Sequence, residues 1–447
     1  MVSPEVIFLD RLQNRHNWLA LLVILYSWRV VYAMLGLILL CASSRCAYAD
    51  EWELRGHLKY QLSQAFYESD DLMGAYGDDT PTDHEIDFRF KAEKRWDRWD
   101  AKVHYELLAL GGDSVKTRRA LHADNLLPSD TVTGLPNDDR RLFDLTDEIT
   151  DDKRLAAVHR LDRLSIGYSG RRLVVRAGRH AVSWGNGLAF NPLDIFNPFS
   201  PTAVDKDYKT GDDMLYGQWL FDSGDDLQTV VLPRRDPVSN DVASDRSSVA
   251  FKYHGMRAGM DYDLLAALHY DEAVVGIGLA RDWHGAIWRF DASVTELSNG
   301  GHATSFVTNI DRSWTWAGYN MYGYLEYFRN GVGEADKDYT TPNADLQERI
   351  MRGELFTLGR DYLAAGMQIE VTPLFHLFPS TICNLNDESL FFQVRAAYDW
   401  RQNILITAGL NLPYGDRGTE FGGIPVDATG YFAAPGSEGY LRISCFF

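Results

Sequence analysis

From Trp52 onward, apolar and polar residues alternate with a period of two. Trp52, Leu54, Gly56, Leu58, Tyr60 and Leu62 interleave with Glu53, Arg55, His57, Lys59, Gln61 and Ser63. Ile86, Phe88, Phe90 and Ala92 interleave with Asp87, Arg89, Lys91 and Glu93. The pattern returns at 101–107, 249–255, 260–268, 288–294, 319–327, 390–398 and 404–410. A strand turns successive side chains to opposite faces, so each segment carries one greasy face and one charged face. The greasy face must be covered by lipid, in a closed transmembrane barrel, or by a second sheet, in a soluble sandwich.

Connection lengths favour the barrel. The pattern marks strands at 51–66, 85–96, 98–110, 156–168, 172–182, 214–222, 226–233, 247–256, 258–269, 273–282, 286–297, 303–314, 316–329, 360–372, 374–384, 389–399, 403–412 and 439–447. That makes an all-β chain of about eighteen antiparallel strands, or sixteen if two short segments fail, and an even number is what closure of such barrels requires. Odd-numbered connections carry the long segments, among them 67–84, 111–155, 183–213, 330–359 and 411–439, while even-numbered ones are tight. Short periplasmic turns and long extracellular loops produce that asymmetry. Trp52, Trp96, Trp99, Trp283, Trp288, Trp314, Trp316 and Trp400 cluster at the short-turn ends, where an indole can bury its ring and keep its N–H hydrated. Trp184 stands at the mouth of a long loop. Charged residues at 24 % and the lack of repeated apolar runs exclude a polytopic helical protein, and 13 % aromatics exclude a disordered one.

The first 49 residues read as an export leader. A largely apolar run from Asn17 to Ala42 follows Arg11 and Arg15, and Ala47-Tyr48-Ala49 forms a small-residue cleavage pattern before Asp50. A retained membrane anchor is the competing reading. Cleavage removes four basic and two acidic residues and moves the net charge from −19 to −21. The barrel then occupies 50–447 and keeps Cys383 and Cys445, both on the apolar parity of their strands. At the other end Leu441, Ile443, Cys445 and Phe447 alternate with Tyr440, Arg442, Ser444 and Phe446. A last strand running in register to Phe447 resembles the signal read by the outer-membrane barrel assembly machinery.

The segment Arg176-Ala177-Gly178-Arg179-His180, then Ser183-Trp184-Gly185-Asn186-Gly187 and Asn191 to Pro198, resembles a strand-to-loop element of proteobacterial porin-like barrels, with His180 where Gln is commoner. Leu161 to Leu164 and Leu358 to Tyr362 are similar to the same group. The group is similar in architecture to porins and alginate-export barrels. The resemblance therefore implies an outer-membrane channel of a Gram-negative cell, passing small solutes or exporting a polymer, with lipid and lipopolysaccharide around it.

If the apolar parity faces lipid, Arg55, His57, Lys59, Arg89, Lys91, Lys102 and Arg442 face the lumen as a wall richer in cations, which would concentrate anions. The competing reading is a self-neutralised salt-bridge lattice with Glu53, Asp87, Glu93 and Glu106. Asp162 and Arg163 leave the parity of their strand ambiguous. Segment 183–213 holds Phe190, Ile195, Phe196 and Phe199 with Pro192, Pro198 and Pro201, too apolar to stand free in water. It is expected to fold into the barrel mouth as a constriction, with Trp184, Asn191, Asp194 and Phe196 as candidate residues, or to pack on neighbouring loops or a subunit. No catalytic, cofactor, metal or nucleic-acid motif is visible. A surface hydrolase would need a serine beside a histidine, for which His159, His180, His254 and His269 are the candidates, and a plugged structural barrel is the other alternative.

Overall fold

A computed structural model describes residues 52–127, 133–203, 207–426 and 429–447. The leader assignment lies outside these residues. The strands are β1 (Glu53–Phe66), β2 (Thr82–Trp96), β3 (Trp99–Gly112), β4 (Thr146–Asp152), β5 (Leu155–Ser169), β6 (Leu173–His180) and β7 (Asp212–Leu220). Next come β8 (Asp226–Arg235), β9 (Val242–Arg257), β10 (Met260–His269), β11 (Glu272–Trp283), β12 (Ala286–Glu296), β13 (His302–Trp316) and β14 (Tyr319–Arg329). The last are β15 (Asp361–Thr372), β16 (Phe375–Asn384), β17 (Leu390–Arg401), β18 (Ile404–Tyr414), β19 (Ile424–Pro425), β20 (Phe432–Ala433) and β21 (Ser437–Phe446). Short helices α1 (Leu72–Tyr76), α2 (Asp113–Ala123) and α3 (Ala344–Met351) sit in the long connections.

Eighteen of these strands form one closed antiparallel barrel, each paired with its chain neighbour. β1 closes it, pairing with β2 on one side and β21 on the other. Closure leaves no edge strand, which lets a sheet stand in hydrocarbon with every ladder group paired. β19 and β20 pair only with each other, and β4 pairs with β5 outside the main cycle. β4 escapes sequence reading because Thr146-Asp147-Glu148-Ile149-Thr150-Asp151-Asp152 does not alternate; backbone pairing with β5, the Arg119–Asp151 ion pair and the Thr146 hydroxyl on Asp138 hold it.

The apolar parity faces outward: Leu54, Ile86, Leu164, Ile166, Leu264, Val275, Leu325 and Leu410 are all exposed. Trp52, Trp96, Trp99, Trp283, Trp314, Trp316 and Trp400 are exposed near the short-turn rim, and Trp219 joins them. Trp288 is set deeper, its Nε1 donating to Thr308 Oγ1 at 3.1 Å. The tight connections include Ala258-Gly259, His284-Gly285 and Ala317-Gly318, where both residues have positive φ. That is the geometry of a two-residue turn whose twist matches the strands it joins. The other rim bears the described residues of 67–81, 113–145, 181–211, 330–360 and 415–436. Its connections after β8, β10, β12 and β16 are short, so the asymmetry is less uniform than alternation suggests.

A β-bulge resolves the ambiguous parity of β5. His104 pairs with Arg163 and Tyr105 with Leu161, which leaves Asp162 as the extra residue. The bulge lets Arg160 and Asp162 point inward while Leu164 returns to the lipid face. At the seam, the Gly56 amide donates to the Phe447 carbonyl at 2.8 Å and the Phe447 amide to the Gly56 carbonyl at 3.1 Å. A Cβ at position 56 would lie 2.4 Å from the Arg89 carbonyl oxygen and 2.5 Å from the Phe447 ring, so the closure needs glycine there.

Candidate functional site: a loop folded into the lumen

The inner wall is not uniformly polar. On β8 to β11 the lumen parity carries Val230, Leu232, Ala250, Leu265 and Val274, all buried. What buries them is segment 181–211, which leaves the end of β6, crosses the lumen and returns to β7. Val182, Trp184, Leu193 and Phe196 of the segment, with Met214 of β7, complete this internal apolar cluster. Gly276 on β11 makes room, since a Cβ there would meet Leu193 Cδ2 at 2.4 Å. Trp184 Nε1 donates to Gln228 Oε1 at 2.8 Å, and Asn191 Nδ2 to the Trp184 carbonyl at 2.8 Å.

Two buried carboxylates hold the far side of the loop. Asp291 on β12 accepts from the Asn186 amide and, at 2.8 Å, from Asn186 Nδ2. Glu326 on β14 accepts the amides of Leu188, Ala189 and Phe190 at 2.7, 3.0 and 2.8 Å, and Asn309 Nδ2 at 3.1 Å. Hydrogen bonds to a carboxylate are stronger than neutral ones, and here they satisfy three consecutive orphan amides. Phe190 stacks on Phe328 with ring centroids 4.5 Å apart and planes at 9°.

The return limb lands on the basic wall of β1 and β2. Lys59 Nζ lies 2.9 Å from Asp207 Oδ2, and Lys91 Nζ donates to Tyr208 Oη at 2.6 Å. The Tyr208 ring stacks on His57 at 5.5 Å and carries the Arg89 guanidinium at 4.4 Å. Lys209 donates to the Val182 carbonyl at 2.6 Å and pairs with Asp194. His57, Lys59 and Arg89 therefore lie under the loop, all less than 5 % exposed.

Arg89 anchors a charge lattice behind this limb. It pairs with Glu106 and, at 2.7 Å, with Asp162. Arg160 bridges Glu106 at 2.6 Å and Asp162 at 3.1 Å, and Arg163 reaches both Asp162 and the Lys209 carbonyl. The bulge at Asp162 is what allows one carboxylate to meet three guanidiniums. Nearer the short-turn rim the cations are more open: Arg55 pairs with the exposed Glu53, and Lys102 lies 3.6 Å from Glu93. Arg442 donates to Gln61 Oε1 at 2.9 Å.

Of the loop residues singled out by sequence, Trp184, Asn191, Asp194 and Phe196 all sit on its anchored side. Its open edge is formed by Leu188, Ala203 and Asp207, which face Tyr322, Tyr324, Gln368, Gln393 and Arg395 across a cavity of about 380 Å³. Arg395 lies over the Phe378 ring at 3.9 Å. Sequence reading missed most of this opposite wall, although the lumen parity of β14, β15 and β17 points to it. Apolar residues on both faces of β8 to β11 were the legible sign that something covers them from inside.

Among the four histidines considered for hydrolase chemistry, His269 meets a serine. Ser248 Oγ is 2.8 Å from His269 Nδ1, and His269 Nε2 is 3.0 Å from Glu354 Oε1. Ser248 is 2 % exposed and takes a further hydrogen bond from Arg234 at 2.8 Å, so its hydroxyl is sealed from any substrate. A nucleophile needs access, and this chain instead ties β9 and β10 to the 330–360 connection. His254 meets Asp263, His180 the Gly178 carbonyl, and His159 packs beside Tyr105.

The strand register and the infolded loop together define a closed antiparallel β-barrel of eighteen strands with a loop folded into its lumen. Structural comparison finds OccAB4 of Acinetobacter baumannii at 9 % identity and a TM-score of 0.48, covering 89 % of this chain and 98 % of that one. OprB of Pseudomonas putida, in a low-pH structure, matches at 8 % identity, TM-score 0.41, over 89 % and 93 %. A triple mutant of the Rhodopseudomonas blastica porin matches at 9 % identity, TM-score 0.42, over 89 % and 100 %. No protein-family model and no curated protein matches the sequence. The assignment here stands on the strand register and on the loop itself.

Proposed function

We propose that the protein is an outer-membrane channel that passes small hydrophilic solutes through the crevice between the infolded loop and the β14–β17 wall. The observation that carries this reading is the polar opening of about 380 Å³ beside a loop pinned on both flanks. A loop held this way narrows a lumen without filling it, and pore-lining polar groups then act on solutes at close range. In this reading Arg55, Lys102 and Arg442 are the cations that meet the solute, which biases passage toward anions. His57, Lys59, Arg89 and Lys91 act from beneath the loop by holding it. Trp184, Asn191, Asp194 and Phe196 set its position. The barrel sits in lipid and lipopolysaccharide of a Gram-negative outer membrane, with Phe447 offered to the assembly machinery.

Purified protein in planar bilayers tests the reading. Discrete, salt-dependent conductance steps are expected, and their absence at every salt and voltage would refute it. The Arg89–Glu106–Arg160–Asp162 lattice and the internal apolar clusters favour a second reading, a structural barrel closed to solutes. Liposome uptake of a small labelled sugar acid separates the two, because a closed barrel admits nothing.

A further inference from the structure

Above the infolded loop, on the long-loop rim, lies a second cavity of about 420 Å³. Its floor is Ile195 and Asn197 of the loop. Four guanidiniums from three separate parts of the chain line it: Arg140 and Arg141 from the connection after β3, Arg234 from β8, and Arg352 from the end of α3. Placing like charges together in a concave, partly dry site raises the local potential and costs free energy unless anions answer it. Three carboxylates share the cavity, Asp139, Asp212 and Glu354, and two are already engaged. Asp212 serves Arg141 at 3.2 Å, Arg234 at 3.5 Å and Asn197 Nδ2 at 3.0 Å. Glu354 serves His269.

Arg140 retains capacity: it donates to the Met351 carbonyl at 3.1 Å and makes no salt bridge among the described residues. Arg352 pairs with Glu348 and lies 3.9 Å from Glu272, and its Nε and Nη1 are buried, so it adds charge to the wall rather than an open edge. Tyr270 orients the site: its ring carries the Arg352 guanidinium at 4.0 Å and that of Arg234 at 4.6 Å. An aromatic face under a guanidinium fixes its plane and its charge against the cavity.

We propose that this cup binds the oxyanion group of a small solute, a carboxylate or a phosphate, before the solute enters the crevice below. A planar guanidinium offers paired N–H donors at the spacing of two carboxylate or phosphate oxygens, and Asn197 adds a neutral side-chain amide at the floor. The proposal rests on the channel reading for its purpose, but binding is measurable without conductance.

The test is isothermal titration of the detergent-solubilised full chain at low ionic strength, with inorganic phosphate and with gluconate in separate arms. Saturable binding in either arm is expected, and the tighter arm names the group. Arg140→Gln should weaken it by roughly tenfold, the effect of losing one charge-assisted contact. Asp139→Asn should tighten it severalfold, and Lys153→Gln, on the exposed turn between β4 and β5, should leave it unchanged. Opposite effects of Arg140→Gln and Asp139→Asn separate a binding role from loss of fold. No saturable binding of either anion, an unaffected Arg140→Gln, or preferential binding of calcium ion in a parallel titration would overturn the site. Binding with silent bilayers would instead remove the channel reading and keep the cup.

Discussion

On the proposed channel function, Glu326 is the point at which one substitution should change what the barrel passes. Each oxygen of its carboxylate takes two donors: Oε1 the amides of Ala189 and Phe190, Oε2 the Leu188 amide and Asn309 Nδ2. Glu326→Gln keeps the shape but turns one oxygen into an NH₂ that faces two donors. Two hydrogen bonds to a charged acceptor are lost, at roughly 1.5–3 kcal/mol each. The neutral amide also escapes part of the desolvation cost borne by a carboxylate that is 1 % exposed, so the net loss falls near the low end, about 3 kcal/mol. The Phe190 ring stays packed against Phe328 and Tyr362, but it does not restrain the Leu188 and Ala189 amides. Residues 188–189 should therefore loosen while Asp291 keeps Asn186, and Trp184, Leu193 and Phe196 keep the base of the loop, in place. The barrel itself is unaffected, because β14 pairs through its backbone. In planar bilayers Glu326→Gln should show larger and noisier unitary conductance than the parent, with heat-modifiable gel migration confirming a folded barrel. Identical step size and noise would refute the view that this carboxylate sets the constriction.

Three further outcomes follow from the same geometry. Gly56→Ala should destabilise the seam by roughly 1–3 kcal/mol through overpacking against the Arg89 carbonyl and the Phe447 ring, read as a lower temperature of heat modification; an unchanged temperature would contradict the contact. In the 415–436 connection, burial pushes the Glu420 carboxyl up to about 6, against hydrogen bonds from Tyr362, the Leu358 amide and Asn384. A raised carboxyl pKa means the docked loop holds its proton more tightly than the free loop. Docking is therefore strongest below the ordinary value and loses about 2 kcal/mol as pH rises through 6. After correction for intrinsic rates, hydrogen exchange at Glu420 and Phe421 should be faster near pH 7.5 than near pH 5, and Glu420→Gln should abolish that dependence. Arg55→Glu with Lys102→Glu should raise cation over anion permeability roughly twofold or more, and an unmoved reversal potential would remove these cations from the pathway. Arg89 is unsuited to that test, because reversing a charge inside its lattice would disturb the fold.

Strand number, inside-outside parity and the aromatic rim were all legible in the chain, because a period of two beside hydrocarbon leaves each residue only two places to point. The apolar character of 183–213 likewise announced a buried loop. Alternation could not reveal which side of that loop faces water: Trp184, Asn191, Asp194 and Phe196 attracted notice by composition, yet they anchor, while Leu188, Ala203 and Asp207 line the opening. Nor could it show the bulge at Asp162, since an inserted residue looks locally like an error in the pattern. The wall cations Lys59 and Arg89 meet their partners 148 and 73 residues away, at Asp207 and Asp162. Local periodicity thus determined the strands and their two faces, and connection lengths pointed to a barrel. Only closure of the sheet, which brings distant strands and a crossing loop within hydrogen-bond reach, decided which charges are silenced and where a passage remains.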